Sequence, residues 1–238
     1  MKIFSIIIPV FNEQETVVLL LDKVKQVALP CNIIKDVIIV DDGSSDNTLK
    51  VVKDYISNNK ELNIQLKTHE KNTGKGSAIH TGIRSAKGEY LIIQDADLEY
   101  DPEEYVILLK PILKGVANVV YGSRFKGSNP HRILFFWHSI GNKFLTLLSN
   151  IFTNLNLSDM ESCYKVFNTS MIQNLNLKEK KFGFEPEVTA KISRIENIRI
   201  YEVGISYYGR TYSEGKKINW KDGVRAIYCI IKYGMFKF

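Results

Sequence analysis

The sequence of 238 residues lacks the features that mark several special classes of protein. Its three cysteines, Cys31, Cys163 and Cys229, lie too far apart to suggest a disulfide framework or a cysteine metal site, so we expect small buried apolar side chains. No internal repeat, low-complexity tract or long linker interrupts the chain. The first apolar run stops at Pro9 and Glu13, too early for a signal-peptide core, and we therefore expect a cytoplasmic protein.

The glycine motifs of the common nucleotide-binding folds are also missing. The first predicted strand is followed by PVFNE instead of Gly-x-Gly-x-x-Gly, which argues against a dinucleotide-binding fold. The segment NTGKGS at 72–77 fails as a phosphate-binding loop, because the first glycine of that motif would have to stand where the chain has Glu70. Nicotinamide chemistry and ATP hydrolysis therefore lose their main support in the sequence.

What the chain does contain is typical of a soluble globular protein, with 45% hydrophobic and 24% charged residues. The charge is uneven: residues 1–105 hold 12 Lys and Arg against 17 Asp and Glu, which leaves 20 against 9 for residues 106–238. A basic second half suggests an anionic partner such as phosphate or a membrane surface, although on charge alone a solvated lysine-rich surface is the better interpretation. No RNA- or DNA-binding module is recognisable, so we expect no nucleic-acid partner.

Short apolar runs alternate with amphipathic stretches through the first half of the chain. This alternation predicts an α/β fold with a mostly parallel central sheet and helices on both faces, because continuous apolar strands are those buried on both sides. In such sheets ligands bind beyond the carboxyl ends of the strands. The predicted strands cover residues 3–10, 33–40, 62–68, 89–94 and 116–123, and the predicted helices include 15–28, 76–86 and 103–113.

Polar residues stand at the ends of the first two strands. Asp41 and Asp42 follow the run VIIV, and a carboxylate there can accept hydrogen bonds from a uracil or guanine edge or from a ribose. These aspartates could instead cap the next helix, which is a reasonable interpretation for Asp46 and a weaker one for the consecutive Asp41 and Asp42. Asn12 and Glu13 end the neighbouring strand and could share the same work.

Acidic residues alternate after the fourth strand. Asp95 and Asp97 are separated by the small Ala96, so in an extended segment both carboxylates point to one side, with Glu99 next along that side. Carboxylates so close repel each other, and a divalent cation resolves the conflict. Oxygen ligands of this kind suit Mg²⁺ or Mn²⁺ bound to a diphosphate. A solvated acidic loop is the alternative, and it carries more weight for Glu99 than for the two aspartates.

Seven segments follow one another along the chain in a recognisable order: IIIPVFNE (6–13), IIVDDGSSDNT (38–48), NTGKGSAIHTG (72–82), GEYLIIQDADLEYDP (88–102), YGSRF (121–125), SDMESCYKVF (158–167) and GRTYSEGKKI (209–218). Taken in order, they resemble the family 2 glycosyltransferases of the glycosyltransferase A fold, in the dolichyl-phosphate mannose and glucose synthase-like branch. The resemblance covers nearly the whole chain. It implies inverting transfer of a hexose from a nucleotide sugar of the GDP-mannose or UDP-glucose type, with a divalent metal, often onto a polyprenyl phosphate.

The resemblance also assigns roles to single positions. The metal would be held by Asp95 and Asp97, with Glu99 standing where relatives often have Gln. Asp159 stands at an aspartate discussed as a candidate base, with a helix or turn cap as an equal alternative, and the predicted catalytic residues are Asp97, Arg124 and Asp159. Phosphate-contacting basic positions are Arg124, Arg210 and Lys216, with Lys217 able to share that role. Substrate-binding positions are Pro9, Phe11, Asn12, Glu13, Asp41, Asp42, Lys75, Asp95, Ala96, Arg124, Arg210 and Lys216.

The acceptor decides which residues the chemistry needs. A lipid phosphate is already ionised near neutral pH, so positioning by Arg and Lys suffices, whereas a glycan hydroxyl needs a carboxylate base such as Asp159 or Glu185. A catalytically silent nucleotide-sugar-binding or membrane-scaffold protein is a rival, against which the intact acidic and basic motifs count. We expect one glycosyltransferase domain over residues 1–238, with the nucleotide-sugar and metal half at 1–122 and the acceptor and membrane half at 123–238.

The segment 133–155 is strongly apolar and aromatic but contains His138, Asn142, Lys143 and Asn150. Because a spanning helix needs about 20 predominantly apolar residues, the segment is better interpreted as an interfacial amphipathic helix or as a helix packed on the sheet. The interface is favoured because nearby basic residues could meet anionic lipid. We therefore expect peripheral association with the inner face of the membrane.

Overall fold

The computed structural model describes residues 2–127, 132, 133, 135–210 and 220–236, and in them one seven-stranded sheet runs through both halves of the chain. Its strand order is β3-β2-β1-β4-β6-β5-β7. The strands are β1 Ile3–Val10, β2 Ile34–Asp41, β3 Asn63–Thr68, β4 Tyr90–Ile93, β5 Val119–Ser123, β6 Lys165–Asn168 and β7 Ile200–Gly204. The helices are α1 Val17–Gln26, α2 Thr48–Asn58, α3 Lys75–Ser85, α4 Tyr105–Leu113, α5 Phe136–Thr153, α6 Thr169–Gln173, α7 Phe184–Ile192 and α8 Trp220–Met235, with 3₁₀ turns at Pro30–Asn32 and Pro102–Glu104.

The sheet is mostly parallel, as the alternation of strands and helices predicted. Strands β3, β2, β1 and β4 pair in parallel, and so do β5 and β7. The exception is β6, which runs antiparallel to both of its neighbours, β4 and β5. The predicted α/β class, with helices on both faces of the sheet, is confirmed.

Strands β1 and β2 are continuous apolar runs because both lie inside the sheet and are covered on both faces. Ile6, Ile7 and Ile8 of β1 are fully buried, and so are residues 37–40 of β2. Helix α3 packs closely on β1 through Gly82, where a Cβ atom would lie 2.2 Å from Cγ2 of Ile7. Burial on both faces therefore leaves only the ends of these strands free to carry polar, functional side chains.

Strand β1 lies between β2 and β4, so the crossover connections leave it in opposite directions. This is the switch point at which an open α/β sheet forms a ligand-binding crevice. Because β6 is antiparallel, the residues that precede it reach the same edge of the sheet as the residues that follow β4 and β5. The fold thus gathers segments from both halves of the chain at one edge.

Some sequence predictions need correction. The predicted helix over 133–155 begins at Phe136, and the strand at 116–123 begins at Val119. Cys163 and Cys229 are buried as expected, but Cys31 is exposed in the turn before β2, with a φ of 57°. The prediction was wrong for Cys31 because the turn places this residue outside the core, and composition alone does not show where a turn lies.

Candidate active site

A cleft of about 510 Å³ opens at the carboxyl edge of the sheet, within the size range of small-molecule sites. Its walls come from the loops after β1, β4, β5 and β7, from the segment before β6, and from the facing sides of α5 and α8. The predicted residues among its lining are Pro9, Phe11, Glu13, Asp42, Lys75, Asp95, Ala96, Asp97, Glu99, Arg124, Glu185 and Arg210. The described structure therefore brings most of the predicted site together in one place.

The loops after β1 and β2 hold each other in position. The side-chain oxygen of Asn12, a residue with a φ of 53°, accepts a hydrogen bond of 2.8 Å from the backbone N–H of Ser45. The hydroxyl of Ser44 donates to Asp41 at 2.5 Å and accepts from the backbone N–H of Asn12 at 3.0 Å. Asn12 and Asp41 thus support this end of the cleft from behind, because neither is among the residues that line it.

Asp42 lines the cleft, but its carboxylate is occupied by the protein. It accepts hydrogen bonds from the backbone N–H groups of Thr73 and Gly74, at 3.1 and 2.7 Å, and from the hydroxyl of Thr73 at 2.8 Å. The Nδ1 atom of His69 lies 2.7 Å from the same carboxylate. These contacts favour a supporting role for Asp42, since they fix the turn that begins α3 and places Lys75.

The two aspartates of the acidic motif each pair with a basic residue. Lys75 Nζ lies 2.7 Å from Oδ1 and 2.9 Å from Oδ2 of Asp95, and this attraction raises the pKa of Lys75 even though burial acts to lower it. Arg210 Nη2 donates to Oδ2 of Asp97 at 3.0 Å and approaches Glu13 at 3.9 Å through Nη1. Basic side chains of the protein are therefore paired with the carboxylates that the sequence predicts as metal ligands.

The oxygen chemistry of the motif fits a divalent cation held by two carboxylates. Burial, followed by the charges of Asp95 and Glu99, raises the pKa of Asp97 to about 7. Glu99 has its carboxylate engaged by the hydroxyl of Tyr207 and the backbone N–H of Arg210, both at 2.8 Å. Within the described part of the chain, no group of three acidic, His or Cys side chains is arranged to hold a metal. The predicted role of Glu99 as a metal ligand stays a prediction, as do those of Asp95 and Asp97.

Arg124 and Asp159 form a buried ion pair at the cleft wall. Asp159 is fully buried and its carboxylate also accepts a hydrogen bond of 3.0 Å from the backbone N–H of Arg124. The guanidinium carbon of Arg124 lies 5.2 Å from the ring centre of Tyr207. The backbone N–H of Asp159 is in turn held by Glu202. This geometry indicates that Asp159 positions Arg124, and it favours that role over the predicted role of Asp159 as a base.

The sequence analysis did not single out Glu161, which also lines the cleft. Its Oε1 atom is buried, and burial followed by the charge of Glu185 raises its pKa to about 8. Burial also lowers the pKa of the nearby Lys165, a core residue, and raises that of the Cys163 thiol. The only feature of the sequence that could have indicated Glu161 was its place between Asp159 and Lys165 in a mostly apolar segment.

Helices α5 and α8 pack against each other and border the cleft through His138, Asn142 and Ala226. Their outer sides carry large exposed apolar residues at helical spacing. On α5 these are Phe136, Trp137, Ile140, Phe144, Leu147 and Ile151, and on α8 they are Trp220, Val224, Tyr228, Ile231 and Met235. We call these eleven residues the apolar face. Among the helices of the described residues, none is long and apolar enough to cross a bilayer.

Lys216 and Lys217 lie outside the described residues, so their predicted contacts with phosphate stay predictions. Comparison with known proteins tests the rest of the assignment. A family model described as glycosyl transferase family 2 matches residues 5–175, well over half of the chain. The chain belongs to glycosyl transferase family 2. The matched span includes every acidic motif of the cleft.

Two relatives of this family 2 glycosyltransferase are named for prenyl-phosphate acceptors. It is 24% identical over 212 residues to the dodecaprenyl-phosphate galacturonate synthase of Rhizobium johnstonii, covering 89% of this chain but 61% of that relative. It is 26% identical, over an alignment of 254 positions, to the UDP-N-acetylglucosamine–dolichyl-phosphate N-acetylglucosaminyltransferase of Methanococcus voltae, covering 99% of this chain and 98% of the relative. The predicted resemblance to the prenyl-phosphate branch is confirmed at the level of these relatives.

A solved structure has the same fold as this family member. The glucosyl-3-phosphoglycerate synthase of Mycobacterium tuberculosis, in complex with Mn²⁺, uridine diphosphate and phosphoglyceric acid, matches with a TM-score of 0.75. The match covers 100% of this chain and 80% of that one at 16% identity. It establishes the predicted glycosyltransferase A fold for the family 2 chain described here.

Proposed function

We propose that this chain is an inverting glycosyltransferase that moves a hexose from a nucleotide sugar to a polyprenyl phosphate at a membrane surface. The observation that carries the proposal is the apolar face on α5 and α8, two helices that also form walls of the cleft containing Asp95, Asp97 and Arg124. An acceptor anchored in lipid would reach the acidic motif along these helices. Both named relatives act on prenyl phosphates by name, which supports the same acceptor class.

The donor would bind at the end of the cleft formed by the β1 and β2 loops. Pro9, Phe11 and Glu13 line that end, and Asn12 with Asp41 holds its shape. The diphosphate would then lie over Asp95 and Asp97. The solved neighbour was crystallised with uridine diphosphate and Mn²⁺, which supports a nucleoside diphosphate and a divalent metal as ligands of the cleft.

Asp95 and Asp97 are the residues that would hold Mg²⁺ or Mn²⁺. A divalent cation bound there would offset the charge of the donor diphosphate and act as a Lewis acid toward the leaving group. Lys75 and Arg210, which cover these carboxylates in the structure, are long enough to turn toward phosphate oxygens when the carboxylates are engaged elsewhere. Positive charge would thereby stay beside the leaving group throughout the reaction.

In the reaction, a phosphate oxygen of the lipid attacks the anomeric carbon while the bond from that carbon to the diphosphate oxygen breaks. The nucleoside diphosphate leaves with the bonding electron pair, and attack from the opposite face inverts the anomeric configuration. No proton has to be removed, because the lipid phosphate is already ionised. Arg124, fixed by Asp159, would orient the acceptor phosphate.

Transfer to a glycan hydroxyl is the second candidate, and one observation favours it. Glu185 places a carboxyl group in the cleft that could take a proton from a hydroxyl. The apolar face has no obvious use in that reaction unless the glycan is itself lipid-linked. We therefore rank it below the lipid-phosphate acceptor.

The deciding experiment measures transfer from radiolabelled UDP- and GDP-sugars to a butanol-extractable polyprenyl phosphate, with Mg²⁺ or Mn²⁺. We expect metal-dependent label in the lipid fraction, reduced by at least about 100-fold in Asp97→Ala. Glu103→Ala is the matched control, because Glu103 is an exposed carboxylate of the same loop and lies outside the cleft. Donor binding without lipid labelling, together with label in a glycan fraction, would contradict the lipid acceptor.

A further inference from the structure

Glu161 is a cleft residue to which the proposed transfer to lipid phosphate gives no role. It lies in the segment before β6, and within the described residues its Oε1 atom is buried without a hydrogen-bond partner. A buried carboxylate oxygen without a partner costs free energy, so such groups are rare unless a ligand completes them. Glu161 itself is half-buried and lines the cleft, so its carboxyl group can meet a polar group of a bound ligand.

The position of Glu161 in the cleft limits which part of the ligand it can meet. Two residues before it, Asp159 anchors Arg124, the predicted contact of the acceptor phosphate. Two residues after it, Cys163 lies 3.8 Å from Lys75, which is paired with Asp95 at the predicted diphosphate site. The segment 159–163 thus runs from the acceptor arginine to the leaving-group aspartate. The transferred sugar has to lie between these two points, because its anomeric carbon is bonded first to one phosphate and then to the other.

The charges around Glu161 also favour the sugar. Glu185 is the carboxylate that acts most strongly on it, and Lys165 and Arg124 act in the opposite direction. A phosphate would be repelled by the charge of Glu185, whereas a sugar hydroxyl can donate to one carboxyl oxygen and accept from a protonated one. With a pKa of about 8, Glu161 keeps its proton at neutral pH and can serve in both ways.

We propose that Glu161, with Glu185 beside it, binds a hydroxyl group of the transferred sugar and thereby selects which sugar is moved. The inference rests on the proposed function, because it takes the cleft to be a nucleotide-sugar site. Glu161 is then a specificity residue that contacts the donor. It is not a base, because a hydrogen bond to a hydroxyl is all that the role requires.

The test compares Glu161→Ala and Glu161→Gln with the wild type by calorimetric titration. The probes are the nucleoside diphosphate, the nucleotide sugar found in the donor panel, and its monodeoxy analogues. We expect all three proteins to bind the nucleoside diphosphate equally, which also shows that the variants are folded. Glu161→Ala should bind the nucleotide sugar about tenfold or more weakly. Glu161→Gln should stay within about threefold of the wild type, because an amide can both donate and accept.

The analogues make the test specific. One monodeoxy analogue should bind the wild type about tenfold more weakly and lose nothing further in Glu161→Ala, because protein and ligand then lack the same hydrogen bond. Additive losses for every analogue would overturn the inference. So would unchanged binding of the nucleotide sugar to Glu161→Ala. Full donor binding combined with loss of transfer in Glu161→Gln would instead make Glu161 a base and also overturn it.

Failure of the proposed function would look different. If the wild type binds the nucleotide sugar but labels no lipid, the acceptor is wrong while the binding data still decide the role of Glu161. If the wild type binds no nucleotide sugar, both proposals fall together. The binding experiment needs no acceptor, so the two failures cannot be confused.

Discussion

Asp159 accepts two hydrogen bonds from the guanidinium of Arg124, one from Nε and one from Nη2, and each is 2.7 Å long. Both side chains are almost completely removed from water, with 9% exposure for Arg124 and none for Asp159. A buried, two-pronged pair of this kind fixes the plane of the guanidinium. It also engages both carboxylate oxygens in holding Arg124, which disfavours Asp159 as the group that removes a proton.

Replacing Asp159 by Asn should therefore disturb Arg124 more than it disturbs proton transfer. Breaking one partner of a buried ion pair typically costs about 3–5 kcal/mol, because the other charge is left buried and uncompensated. We expect a loss of stability of that order in urea unfolding and a higher KM for the polyprenyl phosphate. The pH profile of kcat should keep its shape.

The double variant Arg124→Met with Asp159→Leu separates the two effects. Without a stranded charge it should regain most of the stability, while transfer stays low because the acceptor phosphate has lost its arginine. Loss of an ionisation from the kcat profile of Asp159→Asn, with an unchanged KM, would restore Asp159 as a base.

Arg210 covers Asp97 in the structure, and this contact leads to a prediction about metal binding. In Asp97→Asn the repulsion with Asp95 and Glu99 is removed, so the metal-free variant should be at least as stable as the wild type at pH 8. Adding Mn²⁺ with uridine diphosphate should raise the Tm of the wild type, because a ligand that binds only the folded state stabilises it. The same addition should leave the Tm of Asp97→Asn nearly unchanged. Glu103→Gln serves as the control and should respond as the wild type does.

The sheet and the acidic strand ends could be predicted from the sequence, because both depend on local patterns. Apolar runs identify β1, β2 and β4, and their carboxyl ends have to meet at one edge of a parallel sheet. The pairs that organise the cleft could not be predicted in the same way. Lys75 and Asp95 are 20 residues apart in the chain, and Arg210 and Asp97 are 113 apart. Only the fold brings them within hydrogen-bond distance.

The region between α5 and α8 was the hardest to predict, for physical reasons. Strand β6 has four residues, too few to show a period, and it runs against its neighbours. Asp159 precedes this strand and its partner Arg124 lies 35 residues earlier, so no local sequence pattern could predict the pair. An aspartate after a serine in a turn looks the same whether it caps a helix, binds an arginine or accepts a proton.

The apolar face gives a prediction for membrane binding. Trp137 is 79% exposed and Leu147 is 59% exposed on α5, and burying such side chains at a lipid interface is favourable. The double variant Trp137→Glu with Leu147→Glu should bind vesicles that contain anionic lipid about tenfold or more weakly in a sedimentation assay. Nucleoside diphosphate binding should not change.

A matched change elsewhere tests whether the effect belongs to this face. Val106 is an apolar residue of α4 with 41% exposure, and it does not line the cleft. Val106→Glu should sediment with vesicles as the wild type does. Equal losses for both variants would mean that added negative charge, and not the apolar face, controls binding.

The raised pKa of Glu161 predicts how the stability of the protein changes with pH. Its pKa is about 8 in the folded chain against an ordinary value of 4.5, so the folded state holds a proton that the unfolded state has lost between these two values. Stability should therefore fall as the pH rises through this window, because the folded state binds more protons than the unfolded one. Burial is the largest cause of the raised pKa, and the charges of Glu185, Lys165, Arg124 and Asp159 modify it.

Glu161→Gln removes this ionisation while keeping the shape of the side chain. We expect the variant to be as stable as the wild type near pH 5 and about 2–4 kcal/mol more stable at pH 9 in urea unfolding. Glu103→Gln, at an exposed position, should show no such divergence. If the advantage of Glu161→Gln is the same at both pH values, the buried carboxyl does not titrate in this window. A divergence would mean that the fold tolerates a destabilising acid at this point of the cleft, which is expected of a residue kept for a ligand contact.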